Sequence, residues 1–208
     1  IVEWPFMQRS ELRKQLRLAR QQLTRAQQDK AAEAVLQRLC DLPLLSHATY
    51  AACYLPNDGE VSLTPFIKHC WQSKATSHPM RCNTTLPVLH PVCKGHLLFL
   101  GYDAQTHMVK NTFAIPEPEL ACQNIVPTRH HSVIFMPLVG FDSQGNRLGM
   151  GGGFYDRTLA SVREAHTRPA LVGIAHDCQH VDRLPVQSWD VPLDAIVTPT
   201  QTITFNQK

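Results

Sequence analysis

The sequence contains no paired cysteine motif: Cys40, Cys53, Cys70, Cys82, Cys93, Cys122 and Cys178 are scattered singly, without a CxxC, and their number is odd. That pattern fits reduced thiols rather than a disulfide framework, and a cytoplasmic setting is expected. No apolar run approaches the ~20 residues of a membrane span. The opening IVEWPF lacks the basic start, apolar core and cleavage site of a signal peptide. Charge of one sign is also scarce, with 20 Lys and Arg against 17 Asp and Glu, which gives little support to general nucleic-acid binding. Repeats and low-complexity stretches are missing, and no Ser or Cys stands in a GxSxG setting, which argues against a triad hydrolase.

What is present suits a globular α/β protein. A chain of 208 residues suits one domain, residues 1–208, able to bury roughly 70% of its unfolded surface around one core. The sequence begins with Ile; Met7 is a natural start, and residues 1–6 read as an extension outside the core. From Arg9 to Gln28, Leu12, Leu16, Ala19 and Leu23 recur at helical spacing opposite a face of Arg and Gln. Thr24 and Gln27 form a capping-box signature for a second helix running to about Cys40. Arg9 and Arg13, one turn apart, can hold an anion together; on this stretch alone a solvated basic face is the simpler reading.

Downstream, strand and helix signals alternate. Thr49 to Leu55 reads as a strand, PNDG as a turn, and Leu63 to Lys74 as a helix. Further strands are expected over residues 81–86, 96–100, 133–138, 171–175 and 195–198, several of them continuous apolar runs typical of strands covered on both faces. The pattern predicts a mainly parallel sheet. Glu60, just after the turn that follows the first strand, stands at the edge where ligands bind in such sheets; a helix-entry carboxylate is the alternative reading. Residues 101–128, polar and proline-bearing, read as a surface excursion forming one wall of a cleft.

The stretch with the most chemistry is DSQGNRLGMGGGFYDR, residues 142–157, where Gly149, Gly151, Gly152 and Gly153 fall within five positions between Arg147 and Tyr155, Asp156 and Arg157. Bare glycine N–H groups converge readily on an anion, and phosphate is the favoured guest. Tyr155, Leu159 and Val162 have helical spacing, so the loop is expected to present its anion to a helix N-terminus. No Gly-Lys-Ser/Thr follows, and Phe154 replaces the third glycine of a dinucleotide fingerprint. Nor is the loop expected to come straight off a strand, since the turn-like VGFDSQGN separates it from the 133–138 run. A ligand-free surface turn is the competing reading. The HDCQH run (His176, Cys178, His180) is a weak metal signal without a second cluster. Near the C-terminus, LPVQSWDVPLDAIVTP carries Asp190 and Asp194 between prolines; a carboxylate there can join Asp156 around a hard cation such as Mg²⁺, and on its own Asp190 reads as a loop residue.

RLGMGGGFYDRTL, preceded by FMPLVGFDSQGN and followed by LPV, Trp189-Asp190 and AIVTP, closely resembles the 5-formyltetrahydrofolate cyclo-ligase family. RSELRKQLR, LPNDGEVSLTP and LPVLHP occur in matching order, so the likeness covers Arg9 to about Thr200. It implies a three-layer α/β/α domain and an ATP- and Mg²⁺-dependent ring closure of 5-formyltetrahydrofolate to 5,10-methenyltetrahydrofolate, releasing ADP and phosphate. Carried onto this sequence, it assigns the nucleotide to Arg9, Ser10, Glu11, Leu12 and Arg13 and to Arg147, Leu148, Gly149, Met150, Gly151, Gly152, Gly153, Phe154 and Tyr155, with Arg147 and Tyr155 also catalytic. It assigns folate to Leu55, Glu60 and Phe154, and Mg²⁺ to Asp156 and Asp190. The implied partner is the small-molecule folate, with or without polyglutamate, acting on a monomer without nucleic acid or membrane. Two departures stand out: Arg9 where Lys is common, and Gly152 where some relatives carry a basic residue. A non-catalytic folate- or nucleotide-binding module is the alternative from another class.

Overall fold

The computed structural model describes residues 8–74, 82–162 and 168–205. Helices α1 (Arg9–Gln21) and α2 (Arg25–Cys40) follow the apolar spacing. The Thr24 hydroxyl accepts from the Gln27 N–H at 3.3 Å while Gln27 Oε1 accepts from the Thr24 N–H at 2.8 Å, so the capping box forms and starts α2. One residue departs from the expected solvated basic face: Arg20 is buried with Leu12 and Leu16.

The chain continues through β1 (Tyr50–Ala52), α3 (Thr64–Lys74), β2 (Asn83–Leu89), β3 (Leu97–Gly101), β4 (Met108–Lys110), β5 (Pro116–Pro118), β6 (Val133–Pro137), β7 (Gly140–Phe141), β8 (Arg147–Leu148), α4 (Phe154–Leu159), β9 (Ala170–Ile174), β10 (Ala195–Val197) and β11 (Thr202–Thr204). Seven strands form one sheet in the order β11-β10-β9-β6-β1-β2-β3. β10, β9, β6, β1 and β2 run parallel, and β11 and β3 pair antiparallel at the two edges. The mainly parallel α/β sheet expected from the apolar runs is therefore present. β1, β2, β3, β6, β9 and β10 each begin or end within a few residues of their sequence assignment, whereas β4, β5, β7, β8 and β11 were not expected; Arg81, expected to open β2, lies outside the described residues.

β6 explains the layering. Its Val133, Ile134, Phe135 and Met136 are all buried, and alternate side chains point to opposite faces. Val133 and Phe135 pack with Val35 and Leu39 of α2 and Phe66 and Ile67 of α3. Ile134 and Met136 pack with Leu159 of α4 and with Leu193 and Ile196. The Phe66 and Phe135 rings meet edge to face at 5.2 Å, and burying such a ring contributes about 2–3 kcal/mol. α1 does not cover either face. Its Leu12 and Leu16 join Val139, Leu148, Val181 and Leu184 in a separate cluster beyond the strand ends.

Because β2 and β6 flank β1 on opposite sides, the connections diverge between β1 and β6, and a crevice opens beyond their C-terminal ends. The turn after β1, the β7–β8 ribbon and α1 all converge there.

Candidate active site

The glycine loop leaves β8 directly. β7 and β8 form a small antiparallel ribbon from the residues that read as a simple turn, so a strand does precede the loop, although not one of the main sheet. Asp142 builds the ribbon turn by accepting from the N–H groups of Gln144 at 2.9 Å and Asn146 at 3.0 Å. Gly151 and Gly153 hold φ at +100° and +65°, conformations that glycine adopts without strain. The helix that follows, α4, opens at Gly153, the last glycine of the loop, so the expected helix start does follow the loop, although the helix has only six residues.

Two cavities meet at this loop. One, of about 500 Å³, is mostly apolar, lined by Tyr54, Leu55, Leu86, Phe113, Ile115, Phe154 and Tyr155, with Glu60 and Arg147 in its wall. The other, of about 720 Å³, is lined by Arg9, Arg13, Gly151, Arg157, Trp189 and Asp190. Gly149, Gly153 and Asp156 belong to both, so the loop is the partition between them.

Charge is arranged along that partition. Arg147 Nη2 donates to Asp156 Oδ1 at 2.6 Å, while the buried Arg147 Nε has no hydrogen-bond partner among the described residues. An orphaned buried donor of that kind favours an incoming acceptor. Arg9 forks onto Asp190 at 2.6 and 3.2 Å, and Arg13 Nε donates to the Gly149 carbonyl at 2.8 Å. Burial, and then the neighbouring Arg9 charge, pushes the Arg13 guanidinium below its ordinary value, and an anion between the two arginines relieves that repulsion. Burial raises the Asp190 carboxyl, but the hydrogen bonds from Arg9 and the Gln187 N–H outweigh it and leave the group low. In the other cavity, burial lifts Glu60 to about 7, opposed by the Arg20 charge and the Asn57 N–H. Burial also pushes the Tyr155 phenol well up, so it stays a neutral donor.

Comparison with known proteins decides the family. The family model described as the 5-formyltetrahydrofolate cyclo-ligase family matches residues 6–199. The chain belongs to the 5-formyltetrahydrofolate cyclo-ligase family. It is 42% identical over 186 residues to the 5-formyltetrahydrofolate cyclo-ligase of Escherichia coli K12, covering 89% of this chain and 97% of that one. With the Haemophilus influenzae 5-formyltetrahydrofolate cyclo-ligase it shares 43% over 185 residues, 89% and 94% of the two chains. The solved Aquifex aeolicus 5,10-methenyltetrahydrofolate synthetase superposes with a TM-score of 0.80 at 29% identity, covering 97% of this chain and 95% of that one.

Within this cyclo-ligase family member, the residues assigned from the sequence separate by cavity, with Gly149, Gly153 and Asp156 in the shared wall. Leu55, Glu60, Arg147, Met150, Gly152, Phe154 and Tyr155 line the apolar cavity, and Arg9, Arg13, Gly151 and Asp190 line the polar one. Leu12 and Leu148 lie beneath the loop in the cluster with Leu16, and Ser10 and Glu11 are exposed on α1 outside both cavities. His176 and His180 do not converge: His176 Nε2 is 3.2 Å from the Gly59 carbonyl and His180 Nε2 is 3.1 Å from Ser143 Oγ.

For a metal, no group of three His, Cys, Asp or Glu side chains gathers among the described residues. Asp156 and Asp190 both line the polar cavity; Arg9 forks onto both oxygens of Asp190, whereas Arg147 and the Val191 N–H occupy Asp156 Oδ1 and leave its Oδ2 without a hydrogen bond among the described residues, the oxygen that a hard cation taking one or two carboxylates would find open. The sequence reading missed Asn111, Phe113, Ile115 and Glu117, which the excursion brings into the apolar wall, and Trp189, 65% exposed beside Asp190. An isolated indole next to an aspartate in a polar loop was the available signal for the latter. Arg20 gave no signal, because helical arginine ordinarily reads as solvated.

Proposed function

We propose that the protein converts 5-formyltetrahydrofolate to 5,10-methenyltetrahydrofolate with ATP as phosphoryl donor and Mg²⁺ as the accompanying cation. The observation that carries this reading is the pair of cavities, one apolar and one arginine-lined, sharing the wall of Gly149, Gly153 and Asp156. A transfer from a phosphate in one to a flat ring substrate in the other needs that adjacency.

In this reading, the formyl oxygen takes the γ-phosphoryl group and ADP departs. Nitrogen 10 then attacks the activated formyl carbon and loses its proton, and the carbon–oxygen bond breaks to release phosphate and leave the methenyl cation. Arg9, Arg13 and the loop N–H groups hold the phosphates, and the unpartnered Arg147 Nε meets negative charge at the partition. Tyr155, protonated at neutral pH, donates a hydrogen bond beside it. Asp156 and Asp190 would hold the metal directly or through water, and the metal would neutralise phosphate charge. Glu60 accepts from the ring N–H and amino group of the pterin edge, while Leu55 and Phe154 contact its faces.

The deciding experiment mixes purified protein, 5-formyltetrahydrofolate, ATP and Mg²⁺, follows the methenyl product by its near-ultraviolet absorbance, and assays ADP in parallel. The expected result is equal formation of the two. ADP without methenyl product would reject the folate assignment, and binding of both ligands without turnover would favour the regulatory module.

A further inference from the structure

Arg20 is wholly buried on α1 yet lines neither cavity. Its guanidinium reaches three separate parts of the crevice. Nε donates to the Asp58 carbonyl at 2.7 Å and Nη2 to Asp58 Oδ2 at 2.8 Å, fixing the turn after β1. Nη1 donates to the Leu138 carbonyl at 2.9 Å, just beyond the end of β6. Nη2 also lies 3.8 Å from Met150 Sδ of the glycine loop and 3.8 Å from Glu60 Oε1.

The contact with Glu60 differs in kind from the others. At that distance it is an ion pair and not a hydrogen bond, so it supplies opposite charge without occupying a lone pair. Glu60 Oε2 accepts from the Asn57 N–H at 3.1 Å, while Oε1 accepts no hydrogen bond among the described residues. We propose that Arg20 is a positioning residue for the ring closure: it counters the buried charge of Glu60, leaves Oε1 open to the folate ring edge, and fastens the Glu60 turn to the glycine loop. The proposal rests on the reading of Glu60 as the pterin acceptor.

The groups facing Glu60 are Arg20 from α1, Asp58 on its own turn, and the Tyr54 and Tyr155 phenols, with His176 against the Gly59 carbonyl and near Arg20. Burial keeps both phenols protonated and pushes the His176 imidazole down towards its neutral form, so neither type accounts for a charge change above neutrality. Glu60, at about 7, does. Its ionised form is the better acceptor, so the folate KM is expected to fall as pH rises through that value.

The test measures folate KM and kcat from about pH 6 to about pH 9.5 in the wild type and in Arg20→Met, Arg20→Lys, Asp58→Asn and Glu60→Gln. Removing an opposite charge at this range moves a carboxyl by about one to two pH units, so Arg20→Met should displace the KM step upward by that much. Its folate KM at neutral pH should rise roughly tenfold and recover in alkali, with kcat less affected; Arg20→Lys keeps the charge and should leave the pH of the step near the wild type, although its ammonium does not reproduce the fork onto Asp58 and Leu138. Asp58→Asn should displace the step the other way, because it removes a like charge and frees Arg20 for Glu60. A loss in Arg20→Met that is the same at every pH, or an unshifted step in Asp58→Asn, overturns the proposal; the second criterion holds even if Arg20→Met does not fold. An unchanged folate KM in Glu60→Gln would overturn the pterin reading and the proposal with it. A normal loss there, without shifts in the Arg20 and Asp58 variants, would overturn the proposal alone.

Discussion

Gly151, at a φ of +100°, faces the Arg13 guanidinium, and a Cβ added there would lie 3.6 Å from its central carbon, an ordinary contact. The penalty of Gly151→Ala is therefore one of backbone conformation, about 1 kcal/mol or more. Because Gly151 lines only the polar cavity, kcat/KM for ATP should fall about tenfold with folate KM little changed; steady-state kinetics with each substrate varied in turn checks this. Asp156→Asn retains an oxygen for the Val191 N–H, 3.1 Å away in the native protein, but loses the charge. Its Mg²⁺ half-saturation for turnover should rise about tenfold or more, and an unaltered Mg²⁺ dependence would remove Asp156 from the metal assignment. Glu60, Arg147 and Asp156 were legible as candidates because their charge stands beside glycine or a turn, Asp190 because it stands in a proline-flanked loop, and Arg9 and Arg13 only as two charges one helical turn apart that the family resemblance singled out. Arg20 was not, because its burial depends on Asp58 and Leu138, distant in sequence.

The β4–β5 hairpin shows what an element adds to a composition. Its polar, proline-bearing sequence was legible as a wall, but not which side chains it would bring. Asn111 Nδ2 donates to Glu117 Oε2 at 2.9 Å, and the same oxygen accepts from the Leu89 N–H on β2 at 3.2 Å, which fixes the hairpin to the sheet. At its tip Phe113, 60% exposed, meets the Phe154 ring edge to face at 6.0 Å. Phe113→Ala should raise folate KM by about three- to tenfold, with the thermal midpoint almost unchanged because little burial is lost. The turn after β1 has its own pH signature. Hydrogen bonding from Arg17, joined by Arg20 and Gln21, lowers Asp58 to about 2 against an ordinary 3.8. A carboxyl depressed in the folded state contributes stability above its unfolded value, and that contribution disappears as pH falls through the folded value. After allowance for solvent screening it is about 1–2 kcal/mol. Urea unfolding of the wild type and Asp58→Asn should thus differ at pH ~5 and converge as pH approaches ~2.

At the scale of the whole molecule, the two cavities share a wall, so their ligands should stabilise one folded body. An ATP analogue with Mg²⁺ at about a hundred times its dissociation constant adds about 2.7 kcal/mol. For a chain of this size that corresponds to a rise of roughly 5–10 °C in thermal midpoint, and adding folate as well should raise it further; scanning calorimetry with each ligand and with both checks this. The sequence by itself determined the main helices, the mainly parallel sheet and a glycine loop whose backbone is free to turn, since the period of apolar residues and the freedom of glycine are local properties. Tertiary structure alone decided that β2 and β6 flank β1, because strand order is set by packing between segments distant in the chain. It also decided that the turn after β1, the glycine loop and α1 meet at that crevice around Arg20, because one buried guanidinium satisfies acceptors from separate elements that no local pattern brings together.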